Sequence, residues 1–272
     1  MLSVRSNLAA AASAGSLRRT QSSLGSALGR ISSGRRIQRA ADDAAGLGVA
    51  TNLETRSRSL GTAMRNANDG ISVIQVLEQA ASSSIDLYQR MRGLAVQAAS
   101  ETLDDDERAY LDDEFTALIA QADQVARSTE WNGKPITAGF HSTMDVQVGI
   151  DSTTNDRIQI RLPDLRILAG IVSSYSVGTV SSAQSAIGVL DSALDAVIDV
   201  RAEFGAKQNR LDAALNNLQT QRQALTGAAS GIIDADYAQE SSRLASLEII
   251  RSAGFASLSQ AKDLQKSVLS LL

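Results

Sequence analysis

A chain of 272 residues with 3% aromatic side chains and no cysteine is long enough for a sizeable core, but it must close its seams with small residues and has no disulfide or thiol chemistry. A net charge of -4 weighs against a nucleic-acid binder, and no apolar run approaches the ~20 residues of a membrane span. Both prolines, Pro135 and Pro163, lie mid-chain, so nothing in the flanks breaks a helix and long rods are expected rather than a globule.

Residues 1–41 carry seven arginines and no acid. A mitochondrial transit peptide and a nucleic-acid-binding arm are two readings of such a start. The arginines are spread along a helix without aromatic platforms, so a solvated or partner-facing helix is the plainer account. The small residues at 8–14 follow no leucine-rich core and do not read as a secretory signal. Leu17, Leu24, Leu28 and Ile31 occupy heptad positions, with Gln21 at the remaining one. So thin a stripe, with Gly15, Gly25 and Gly29 beside it, predicts a helical arm over 1–33 that orders only against a partner.

Ser32-Ser33-Gly34-Arg35-Arg36 interrupts that pattern, and Asp42-Asp43 then places carboxylates where a following helix has its positive end. A helix is expected to begin near Asp43. Its heptad positions read Ile74, Leu77, Ala81, Ser84, Tyr88, Met91, Ala95 and Ala98, the seam of a packed bundle. By local rules Asn68-Asp69-Gly70 is a turn that would split this helix. Residues 101–114 hold eight acids but lack the glycine and distal glutamate of a calcium loop, so they read as the start of a shorter helix carrying Leu111, Phe115, Leu118, Ala122 and Val125.

Between residues 131 and 180 the period changes to two, as in Met144-Asp145-Val146-Gln147-Val148 and Ile158-Gln159-Ile160-Arg161-Leu162. Alternation puts side chains on opposite faces of a strand, so this stretch is expected to be a β excursion between helical arms. The return helix carries Ile187, Leu190, Leu194, Val197, Phe204, Leu211, Leu215, Leu218 and Leu225 in strict heptad phase, a rod of about 44 residues and roughly 66 Å. After Gly227 and Gly231 a last thin arm, residues 234–272, mirrors the first. The expected fold is mainly α, an antiparallel long-helix coiled-coil bundle with a small β-hairpin region in the middle of the chain. The fold-back brings both weak arms to the same end.

The single histidine, His141, has no Cys or acid at ligand spacing and reads as a surface residue. The sequence holds no nucleophile elbow, phosphate loop or zinc-protease motif, so no catalytic, cofactor or metal residue is assigned and no enzyme is expected. Two end arms that need partners point to an assembling subunit. A rival reading is a helical sensor or adaptor that docks through the acidic segment.

Several motifs carry a family resemblance. Ile31-Ser32-Ser33-Gly34-Arg35-Arg36-Ile37, Ala41-Asp42-Asp43-Ala44-Ala45-Gly46, Arg65-Asn66-Ala67-Asn68-Asp69-Gly70-Ile71-Ser72 and Gln89-Arg90-Met91-Arg92-Gly93-Leu94-Ala95-Val96-Gln97 resemble the N-terminal pattern of bacterial flagellins. Arg201-Ala202-Glu203-Phe204-Gly205-Ala206-Lys207-Gln208-Asn209-Arg210-Leu211, Asp234-Ala235-Asp236-Tyr237-Ala238-Gln239-Glu240 and Val268-Leu269-Ser270-Leu271-Leu272 are similar to the C-terminal one.

The resemblance implies a subunit that polymerises into the flagellar filament, in a short form without the variable outer domains. A hook-filament junction protein is the alternative. The arms at 1–33 and 229–272 would form an inner tube, joined by a spoke at 34–44 to outer-tube helices at 45–130 and 181–228. In this family Asn-Asp-Gly lies inside a helix, so helix is expected through Gly70. Implied partners are further copies of the chain, the cap protein, the junction protein, an export chaperone and the flagellar type III export apparatus, with no nucleic acid and no membrane; the product would be secreted. Burial of the arms is expected to drive assembly, with Leu24, Leu28, Ile31, Leu244, Leu247, Leu258, Val268 and Leu272 as seam residues. The epitope read by the vertebrate flagellin receptor maps onto Gln89, Arg90, Leu94 and Glu114; Gly93 stands where the family usually has an acid.

Overall fold

A computed structural model describes residues 6–139 and 141–269, apart from the side chains of residues 265, 266, 268 and 269. The elements in chain order are α1 (Leu8–Ser33), α2 (Ala44–Ala98), α3 (Asp105–Ser128), β1 (Glu130–Trp131), β2 (Lys134–Pro135), β3 (Thr143–Gln147), β4 (Arg157–Arg161), α4 (Leu165–Val172), α5 (Val180–Ile233) and α6 (Tyr237–Leu269). They fall into two compact units, residues 1–55 with 224–272, and residues 56–223.

The second unit is built on α2 and α5. Arg92 Nε donates to Asp191 at 2.6 Å, Arg201 faces Glu78 at 3.7 Å, and a Cβ on Gly61 would meet Arg222. Partner numbers fall along α5 as they rise along α2, so the two helices run antiparallel. Every α2 heptad position named above, from Ile74 to Ala98, is buried. One apolar cluster joins Tyr88 and Met91 of α2, Phe115 of α3, Leu165 of α4, and Leu190 and Val197 of α5. A second joins Ile74 and Leu77 to Phe204 and Leu211 of α5 and to Val146, Ile158 and Ile160 of the hairpin.

The helix α2 is continuous through Gly70, as the resemblance implied and against the turn rule. The packing gives the reason. A Cβ at Gly70 would lie 3.1 Å from Val146 Cγ2 and 3.2 Å from Cγ1, so the missing side chain makes room for the hairpin. Asn66 Nδ2 also donates to the Gln147 carbonyl at 3.2 Å. Gly70, flanked by Asn66 and the buried Ala67, faces the hairpin while Asn68 and Asp69 point to solvent, and these tertiary contacts outweigh the local turn preference.

The start of α3 is a capping box: Glu107 N donates to Asp104 Oδ1 at 2.7 Å and Asp104 N to Glu107 Oε2 at 3.2 Å. Beside it Arg108 is buried, donating to the carbonyls of Ala98 at 2.9 Å and of Ser100 and Leu103 at 3.1 Å. These include orphan acceptors at the end of α2.

The β excursion is smaller than expected. β1 pairs antiparallel with β2, Trp131 opposite Lys134, around an Asn132-Gly133 turn with φ of 50° and 72°, which glycine and asparagine accept most easily. β3 pairs with β4, Val146 opposite Ile158. The remainder of 131–180 is not strand, since α4 follows Pro163 with Asp164 as its N-cap, the carboxylate accepting from Arg166 N at 3.1 Å. Leu165, Ala169 and Val172 are its buried face. The return helix also overruns its expected end. α5 passes through Gly227 and Gly231 to Ile233, because no proline or competing cap stops it before Asp234.

Candidate functional site in the paired end arms

The first unit holds the two arms and the sequence motifs that separate them from the rest of the chain. α1 ends on Gly34 with φ of 68°, a left-handed cap that suits glycine. The chain then bridges to the far end of the sequence. Arg35 pairs with Asp234, Arg36 N donates to the Ile233 carbonyl at 2.6 Å and Ala235 N to the Gly34 carbonyl at 2.9 Å. Asp236 Oδ1 accepts from Ala238 N at 2.9 Å and Gln239 N at 3.2 Å, starting α6. On the other strand of this junction, Asp42 Oδ2 accepts from Gln38 N and Arg39 N, both at 3.0 Å. Those backbone donors, Gln38 first, hold the Asp42 carboxyl below the usual carboxylate range. Ile37, Ala50, Ala229 and Ile233 are buried within this unit.

Beyond the junction α1 and α6 lie side by side and antiparallel. Arg30 Nη1 bonds Glu240 Oε1 at 3.0 Å, a Cβ on Gly254 would touch Leu17 Cδ1 at 3.2 Å, and Asn7 Nδ2 donates to the Ala261 carbonyl at 2.8 Å. The facing positions on α1 are largely small, so the axes approach closely around few large side chains.

Of the expected seam residues, Leu24 is buried, and Ile31, Leu244, Leu247 and Leu258 are half-buried. Leu28 is 47% exposed while its neighbour Ala27, at 2%, takes the inward position. The side chain of Val268 and the whole of Leu272 lie outside the described residues. Sequence reasoning passed over a second apolar set: Leu8, Ile249, Ile250, Phe255 and Leu264 are all at least half exposed. At 100° per residue Ile249, Ile250 and Leu264 share one face of α6, and Phe255 flanks the seam on its other side. The signal was present in the adjacent Ile249-Ile250, which a single heptad stripe does not accommodate.

In the other unit, Arg90 Nε donates to Glu114 Oε1 at 2.9 Å, and both side chains remain largely accessible. Gln89 is exposed, and Leu94 is half-buried against the α2–α3–α5 core. His141 is exposed. Among the described residues no helix is long and apolar enough to cross a membrane.

A family model of the bacterial flagellin N-terminal helical region matches residues 4–142, and one of the bacterial flagellin C-terminal helical region matches residues 187–272. The chain belongs to the bacterial flagellin family. It is 36% identical to a flagellin of Halalkalibacterium halodurans over 90% of each chain, and 33% identical to flagellin FlaB2 of Treponema pallidum over 99% of each. Its fold matches the crystal structure of Bacillus cereus flagellin with a TM-score of 0.51 at 28% identity, covering 57% of this chain and 88% of that one. A putative flagellar hook-associated protein from Vibrio parahaemolyticus matches with a TM-score of 0.60, covering 71% of this chain and 100% of that one, but at 13% identity the likeness is one of fold alone. The alignment to flagellin A of Vibrio anguillarum, 29% identical, runs over 376 positions and covers all of this chain. This flagellin is therefore a short form without outer domains, and a structural subunit of the flagellar filament.

Proposed function

We propose that this flagellin polymerises through its end arms by dividing the apolar residues between two kinds of contact. Leu24, Ile31, Leu244, Leu247 and Leu258 act as the seam inside one chain. Leu8, Leu28, Ile249, Ile250, Phe255 and Leu264 meet neighbouring copies. The observation that carries this reading is the exposure of several large apolar side chains on helices whose shared seam is already occupied; patches of this kind mark contact surfaces. In the filament residues 1–33 and 229–272 form the inner tube, 34–44 the spoke, and 45–130 with 181–228 the outer tube.

The family's secretion route supplies the rest of the reading. The chain leaves the cell through the flagellar type III export apparatus, held beforehand by an export chaperone on its C-terminal arm. It adds to the growing filament under the cap protein, above the junction protein, and performs no catalysis. Gln89, Arg90, Leu94 and Glu114 constitute the receptor epitope, with Gly93 weakening recognition and the Arg90–Glu114 pair serving chiefly to pack α2 on α3.

Negative-stain electron microscopy of purified chain with short filament seeds tests the reading. The intact chain is expected to elongate seeds, and a chain lacking residues 1–30 is expected to remain a soluble, folded body. Filaments from the truncated chain would refute the role of the arms. An intact chain that leaves seeds unextended would shift the assignment to a junction protein.

A further inference from the structure

We propose that the Arg30–Glu240 ion pair sets the register in which the two arms pair. The problem it solves is visible along the seam. α1 offers Leu17, Leu24, Ala27 and Ile31, and α6 offers Leu244, Leu247, Gly254, Leu258 and Ala261, apolar or small residues spaced by three, four or seven positions. Sliding one helix by a turn sets similar surfaces against each other, so burial alone discriminates weakly between registers.

The pair behaves as a discriminating contact rather than a stabilising one. Among the described residues Glu240 is the buried one of α6, 7% exposed, its Oε1 bonded to Arg30 at 3.0 Å. Its Oε2 is buried with no hydrogen-bond partner. A carboxylate removed from water with one oxygen unanswered recovers little of its desolvation cost. A slip of one turn would carry Glu240 away from Arg30 and leave the buried charge with no partner at all. The wrong register is thus penalised more than the right one is favoured, which is how a buried polar group specifies alignment. The backbone bridge between Arg35 and Asp234 lies close by, but such a bridge is indifferent to side-chain identity and holds only the base of the arms.

The absence of cysteine gives a clean test in the full-length chain, independent of polymerisation. Leu17→Cys with Gly254→Cys reports the observed register. Leu17→Cys with Leu258→Cys reports a slip of one turn, since position 258 lies about 6 Å farther along the axis and beyond disulfide reach otherwise. Oxidation followed by non-reducing electrophoresis is expected to favour the first pair by at least about tenfold in the native background. In Arg30→Met/Glu240→Leu the two yields should become comparable while helical content is kept, and the swap Arg30→Glu/Glu240→Arg should restore the preference. A preference unchanged in the apolar double variant would overturn the proposal and assign the register to the backbone bridge. Comparable yields in the native background, or no cross-link in either pair, would overturn it as well. Filament formation is scored separately on seeds, so loss of the polymerisation reading and loss of this one are distinguishable.

Discussion

Phe255→Ala isolates the outward apolar set from the intrachain seam. Phe255 is 53% exposed, and a phenylalanine buries 150–250 Å² when fully enclosed, so a neighbouring subunit has about 100 Å² of ring left to cover. At ~25 cal/mol per Å² that is about 2.5 kcal/mol, most of which alanine forgoes. A loss of about 2 kcal/mol per added subunit raises the critical concentration for elongation roughly 30-fold. Sedimentation of seeded polymer across a subunit concentration series reads that quantity directly. Because the exposed half of the ring touches nothing in its own chain, circular dichroism of the soluble subunit should change far less than assembly does. The comparison variant is Leu24→Ala, whose side chain is 8% exposed; its cost of ~2–5 kcal/mol falls on arm pairing within one chain and should lower arm helicity as well as assembly. A Phe255→Ala subunit that polymerises within threefold of the native critical concentration would refute the division of faces.

Gly70→Ala gains ~1 kcal/mol in helix propensity but crowds Val146, whose methyls would lie 3.1 and 3.2 Å from the new Cβ. Overpacking costs ~1–3 kcal/mol, so urea denaturation should show net destabilisation that Val146→Ala in the same chain partly relieves. Arg108→Ala removes the donors to the carbonyls of Ala98, Ser100 and Leu103 and should cost about 3 kcal/mol; Asp105, fully exposed, contributes little to that figure. Burial pushes the Tyr88 hydroxyl up to about 12. Its folded value exceeds the ordinary 10, so stability is intact below pH 10 and is lost as pH rises toward 12, approaching about 2–3 kcal/mol. Tyr88→Phe should flatten the alkaline limb of denaturation midpoint against pH.

The heptads of α2 and α5 were legible because a long buried seam has one requirement, apolar or small side chains every 3.5 residues, and nothing else in the chain competes with it. Where the structure departs from that reading, a different physical term prevails. At Gly70 hairpin packing outweighs turn preference. At Gly227 and Gly231 the expected end of α5 fails because glycine weakens a helix without stopping it, whereas Asp234 and Asp236 bring a bridge and a cap. The helix α4 was hidden inside a window read as alternating, although Leu165, Leu168, Ala169 and Val172 follow helical spacing after an Asp cap. Leu28 sits outside because a straight helix drifts ~20° per heptad, which passes the inward position to Ala27, a residue too small to register in a hydrophobic pattern. Arg108 gave no signal at all, since an arginine in an acidic run reads as solvated.

The contrast between the two units is the reason we propose the arms as the assembly element. The unit of residues 56–223 encloses Tyr88, Phe115, Phe204, Leu190 and Leu211 almost completely, a core that repays the entropy of ordering its helices. Among the described residues α1 buries only Leu24 and Ala27, and α6 buries Glu240, a charge. Helices of 26 and 33 residues with so little enclosed surface are marginal by themselves, whatever their register. Their missing stability has to come from outside the chain, and the exposed Ile249, Ile250, Phe255 and Leu264 are placed to receive it. The arms pair in the free chain with little stability to spare, so addition of a subunit consolidates a pairing that already exists, and a thin intrachain seam is the condition under which neighbours supply most of what holds the arms.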